Sequence, residues 1–197
     1  MKKEILELIT EQELDKKLQA RNVIRKYGMP DDEFGFDLDI THFLKLMYAD
    51  FTAQSYGARV QNRFIKEYKL SKVAAKEDKG DAKNINNNNG EIKITYKNIK
   101  GEFSFVQIRP YQKCDFYLLI AINPDENFKY YNFIITKKDI EQVLTKFKAT
   151  NCHGVSKNKK DKTQEELRFS ATFGTENWKY LIDNFLVENP KKELEKL

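Results

Sequence analysis

Histidine and cysteine are scarce in this chain, with two of each in 197 residues. His42 and His153 are too few to build a zinc site or a pair of histidine acid/base groups. Cys114 and Cys152 stand outside any CxxC or Cys/His ligand spacing and read as two reduced structural thiols. A run of 18 apolar residues is also missing, and acids interrupt the leading "MKKEILELITEQELDKK", where a secretory h-region would be apolar. The expectation is a soluble cytoplasmic protein with no membrane partner. Nor does one sign of charge dominate: 35 basic residues against 30 acidic give +5, which permits a polyanion partner without requiring one. Any hydrolytic chemistry must then rest on carboxylates, lysines and a bound cation.

What the chain does have is 40% hydrophobic and 13% aromatic residues, enough for one well-buried core and a single domain over 1–197. The first 70 residues read as mainly helical. Thr10 and Glu13 form a capping-box pattern, and "ITHFLKLMYADF" and "TAQSYGARVQNRFIKEY" repeat apolar residues at helical spacing. From residue 90 the period changes to two. "EIKITY" alternates, "EFSFVQIR" follows, "DFYLLIAI" is apolar on both faces and "FKYYNFIIT" is a further strand. Thr136 and Asp139 cap a helix carrying Ile140, Val143, Leu144 and Phe147. Residues 149–197 read as a polar loop, the strand "LRFSATF" and a closing helix capped by Thr175. The order predicts an α/β fold with a central mixed β-sheet flanked by helices and a catalytic core over 78–148.

The chemistry concentrates in "GDAKNINNNNGEIKITY", residues 80–96. Glu91 and Lys93 lie two apart on a strand and so project to one side, with Cα atoms roughly 6.6 Å apart. If residues 80–90 form a hairpin-like connection, Asp81 returns beside Glu91. Two acids with main-chain and water oxygens suit Mg²⁺, which prefers hard oxygen ligands and keeps several waters. Such a cation polarises a phosphodiester and lowers the pKa of a water, while a lysine orients that water or neutralises charge on phosphorus. The asparagine string between the two ends reads as a polar connection of variable length.

Asp81 followed by Glu91-Ile92-Lys93 on a core strand resembles the PD-(D/E)XK nuclease motif, most familiar in type II restriction endonucleases. The likeness spans roughly residues 50–148. It implies a restriction-endonuclease-like sandwich, a Mg²⁺ cofactor for which Mn²⁺ substitutes, and sequence-specific cleavage of double-stranded DNA by a homodimer. Asp81 and Glu91 would hold the metal and Lys93 would assist the water. Two departures stand out. Gly80 occupies the place of the family's proline, and the family's upstream-helix glutamate has only Gln54, Gln61 or Glu67 as counterparts, of which Gln61 shares a face with Ala58 and Ile65. Glu67-Tyr68-Lys69 and Glu77-Asp78-Lys79 also satisfy E-x-K, but only Glu91 has the strand context. Asp78 competes with Asp81 as first metal ligand.

Gln107, in the parity class of Phe103 and Phe105, is a candidate supporting residue, and Arg109 and Lys113 are candidates for DNA contact. Asp115 reads as a strand-end acid. Lys157, Lys159, Lys160 and Lys162, with Asp161 among them, form a basic segment able to release counterions from a DNA backbone. Alternatives to a restriction enzyme are a repair or recombination nuclease on the same core and a non-catalytic DNA-binding domain.

Overall fold

The computed structural model describes residues 38–50, 53–74, 79–152 and 166–197. The chain divides into two compact units: one formed up to Phe64 together with Pro124–Lys129, the other formed by Ile65–Asn123 and Tyr130–Leu197. The Thr10 capping box lies outside the described residues.

In the first unit, α1 (Ile40–Asp50) starts where Asp39 Oδ1 accepts the amides of Thr41 at 2.9 Å and His42 at 3.1 Å, satisfying two orphan donors of the first turn. Phe43, Leu44 and Met47 on α1 are fully buried, as are Val60 and Phe64 on α2 (Ala53–Glu67). Arg63 donates to the Leu38 carbonyl at 2.9 Å and lies over the Phe43 ring at 5.3 Å. Both segments are helical, as their apolar spacing predicts.

The second unit is α/β. Its main sheet has the order β1 (Ser71–Lys72), β2 (Ala82–Lys83), β3 (Asn89–Tyr96), β5 (Phe116–Asn123), β6 (Lys129–Thr136) and β9 (Leu186–Val187). It is mixed: β2 and β3 are antiparallel, while β3 and β5 are parallel with Glu91 opposite Tyr117 and Lys93 opposite Leu119. All eight residues of β5 are buried, as its two-faced apolar run requires. Instead of joining this sheet, β4 (Glu102–Ile108) pairs with β8 (Leu167–Thr172), which pairs with β7 (Thr150–Asn151) in a second, three-stranded sheet. The sequence predicts one sheet. The separation follows from β4's own alternation, with Phe103 and Phe105 buried and Ser104 and Val106 turned outward, which suits a sheet with one wet face.

One core lies between the sheets. It draws Tyr117, Leu119 and Ala121 from β5, Phe133 and Ile135 from β6, and Phe103, Phe105, Phe169 and Ala171 from the second sheet. Helix α3 (Lys137–Lys146) adds Ile140, Val143 and Leu144, and α4 (Glu176–Phe185) adds Trp178 and Leu181. Trp178 stacks on Phe103 with centroids 4.7 Å apart and meets Tyr131 edge-on at 5.1 Å, so these aromatics pack the interior. Thr136 caps α3, accepting from the Asp139 amide at 3.3 Å and donating to its carboxylate at 2.6 Å. Thr175 holds the N-cap position of α4, yet its hydroxyl donates to the Thr172 carbonyl at 2.7 Å instead of capping. The five-residue α5 (Pro190–Leu194) was not expected; its start is written as Asn189-Pro190, with the asparagine accepting from Lys192 N at 3.1 Å. No helix among the described residues is long and apolar enough to cross a membrane.

Candidate active site at the Asp81–Glu91 hairpin

Residues 80–91 fold back as an antiparallel hairpin in which Ala82 pairs with Gly90 and Lys83 with Asn89. Asp81 is therefore next to Glu91 across the ladder. Its N–H donates to the Gly90 carbonyl at 2.8 Å, and its Oδ2 accepts the Ile92 N–H at 2.9 Å. Glycine is needed at both flanks. Gly80 has φ +89°, and a Cβ there would sit 2.6 Å from the Gly90 carbonyl oxygen. A Cβ on Gly90 would fall 2.2 Å from the Phe116 ring. The missing proline before Asp81 now has a physical reason, because proline fixes φ near −65° and cannot adopt this conformation.

Glu91 is almost fully buried, and its Oε1 is 2.5 Å from Lys93 Nζ. Burial pushes the Glu91 carboxyl above its ordinary range; Lys93 opposes that shift, the Asp81 charge adds to it and Arg109 opposes it. Asp81 therefore bears on Glu91 as a nearby like charge across the hairpin. Lys93 thus engages Oε1 of the buried carboxylate. Tyr117, the cross-strand neighbour of Glu91, donates its hydroxyl to the Arg109 carbonyl at 3.1 Å. Burial also raises the Cys114 thiol, with Tyr117, Lys137 and Glu91 acting on it. Cys114 and Cys152 are both free thiols, Cys114 buried and Cys152 half-buried.

The chain matches no protein-family model and no curated protein. The site is thus read from its own geometry. Among the described residues no three His, Cys, Asp or Glu side chains cluster as metal ligands, and the hairpin brings two carboxylate residues, Asp81 and Glu91, side by side. Hard oxygens in that number fit Mg²⁺, which completes its shell with waters, better than zinc, which favours four protein ligands.

The remaining candidates divide. Arg109 is half-buried and forks onto Glu166, with Nε and a terminal nitrogen each 3.0 Å from Oε1. Sequence reasoning missed Glu166, since nothing local marks a partner 57 positions away. Gln107 is exposed, because the β4 register shifts between Phe105 and Ile108 and Gln107 takes φ +56°. That irregularity breaks the parity with Phe103 and Phe105 and turns Ile108 inward instead. Lys113 is exposed. Asp115 closes the start of β3, accepting the Asn89 N–H at 2.7 Å. Gln61 lies on α2 within the first unit and is half-buried. Asp78, Lys157, Lys159, Lys160 and Lys162 lie outside the described residues.

The asparagine string is not a passive connection. Asn84 Nδ2 donates to the Leu194 carbonyl at 2.8 Å and Asn86 Nδ2 to the Glu195 carbonyl at 3.0 Å, while Asn88 Nδ2 donates to the Leu197 carbonyl. The buried Asn84 Oδ1 also accepts the amides of Asn86 at 3.0 Å and Asn88 at 2.8 Å. These bonds satisfy carbonyls at the end of α5 and just beyond it and fix the loop's shape. Its length is therefore set by the clamp, contrary to the reading from sequence.

Proposed function

We propose that this protein is a Mg²⁺-dependent endonuclease of the PD-(D/E)XK type that hydrolyses phosphodiester bonds of double-stranded DNA at a specific sequence, as type II restriction enzymes do. The observation that carries the reading is that the hairpin sets Asp81 beside Glu91 across paired strands, with Lys93 on the buried Glu91 carboxylate. Asp81 and Glu91 would hold the cation. The chemistry a bound Mg²⁺ supplies is Lewis-acid polarisation of the phosphodiester and acidification of a water. Lys93 is drawn to the site by Glu91 and stands ready to orient the attacking water or to offset charge developing on the phosphoryl oxygens. By the family resemblance, Mn²⁺ substitutes for Mg²⁺ and a homodimer acts on a palindromic site, with two-fold protein matching two-fold DNA.

One observation favours a non-catalytic reading: Lys93 and Glu91 already neutralise each other, so the pair is self-sufficient as a structural ion pair. Digestion of plasmid DNA with Mg²⁺, and with chelator as control, separates the two. Discrete fragments are expected, with loss of cleavage by about 10²-fold or more in Asp81→Ala and Lys93→Ala while DNA binding persists. DNA that is bound but left intact in both Mg²⁺ and Mn²⁺ sinks the enzyme reading.

A further inference from the structure

The second sheet carries a feature that the hairpin site does not use. On its outward face, Ser104 of β4 stands directly opposite Ser170 of β8, their hydroxyls 2.6 Å apart. One step along, Arg168 of β8 is opposite Thr150 of β7, with Nε 3.4 Å from the threonine hydroxyl. Lys148, held in the left-handed region at φ +50°, also lines the groove, which has a volume of about 390 Å³ and is further bordered by Phe147 and Phe169.

Three properties make this groove suited to an anion. Ser104, Ser170 and Thr150 are short, so a ligand can approach the sheet between the longer Arg168 and Glu102. Its hydroxyls can donate. Its two cations also lack a carboxylate partner among the described residues, unlike Arg109, which is held by Glu166, and Lys93, which is held by Glu91. An acid across the strand would stabilise an arginine on a solvated sheet face; here the cross-strand neighbour is Thr150. The lining's one acid, Glu102, has its Oε2 taken by Asn98 Nδ2 at 3.2 Å, so two cations stand against one engaged carboxylate.

We propose that this groove is a phosphate-binding site, separate from the Asp81–Glu91 centre, that grips the backbone of duplex DNA through Lys148 and Arg168. Ser104, Ser170 and Thr150 supply neutral hydrogen bonds to phosphate oxygens. The proposal rests on the nuclease reading for its choice of polyanion. The contact is sequence-independent: it holds the duplex and leaves base reading to other groups.

The test is anisotropy of a labelled duplex titrated with the full chain in EDTA across a series of KCl concentrations. Two phosphate contacts contribute about 1.8 to the slope of log affinity against log salt, so Lys148→Ala/Arg168→Ala is expected to lower that slope by this amount. Glu102→Gln keeps the Asn98 contact and removes the acid; it should tighten binding about twofold, a gain that misfolding cannot imitate. A double variant with the wild-type slope overturns the proposal, and so does a wild-type chain that does not bind the duplex. Cleavage is scored separately in Mg²⁺. A chain showing the slope change without cutting keeps the groove and loses the nuclease, whereas cutting with an unchanged slope does the reverse.

Discussion

Glu91 and Lys93 form a pair in which each residue makes the other tolerable. Removing the amine in Lys93→Ala strands a buried carboxylate, and the cost is expected to be about 3 kcal/mol near neutral pH. The sign of the pH dependence follows from Glu91's raised titration. The folded chain keeps that proton over a range in which the unfolded chain has lost it. Stability from this group is full at low pH and is lost as pH rises through the folded value. Without Lys93 the folded value climbs further, so the deficit relative to wild type should shrink from about pH 8 to about pH 5. Urea melts of both proteins across that range measure it, and a pH-independent deficit would refute the account. Gly80 makes a second case. Replacing it with the family's proline sets the wrong φ and places ring atoms against the Gly90 carbonyl, so Gly80→Pro should lose about 3 kcal/mol or more. Both glycine requirements were invisible in sequence, since neither a positive φ nor a neighbour's ring position is written in local composition. The Glu91–Lys93 pair was visible, because E-x-K on an alternating strand places its two side chains on one face whatever surrounds it.

At the level of elements, the asparagine loop and α5 act as one unit. Asn84→Ala removes a buried donor and an acceptor that orders two following amides, with an expected loss of about 2–3 kcal/mol. Hydrogen exchange should quicken in residues 84–88 and 190–197 together in this variant. Faster exchange in only one of the two segments would show that the clamp does not couple them. Helix α3 was legible because its capping pair and i, i+3, i+4, i+7 stripe are local. The irregularity in β4 was not, because a residue that leaves the ladder is chosen by the partner strand β8.

Across the whole molecule, the α/β class followed from the order of periodicities, while the division into two sheets depended on contacts far apart in sequence. Glu102 pairs with Thr172 and Phe103 with Ala171, links that no window of adjacent residues contains. With a mixed charge of only +5, the proposed DNA association would have to rest on local cationic features. If the enzyme works as a homodimer, light scattering on a cleavage-inactive Asp81→Ala complex should return two chains per palindromic duplex. One chain per duplex would point instead to a nuclease that recognises branched or asymmetric DNA. The clamp on the hairpin also imposes an order on biosynthesis. Asn84 is made 110 residues before the Leu194 carbonyl it binds, so until that residue has been added the loop that sets Asp81 against Glu91 lacks this anchor. A chain emerging from the ribosome carries both acids early and gains the bond that steadies them only when residues 190–197 have been added, which makes maturation of the proposed cutting centre wait on a segment made more than a hundred residues later.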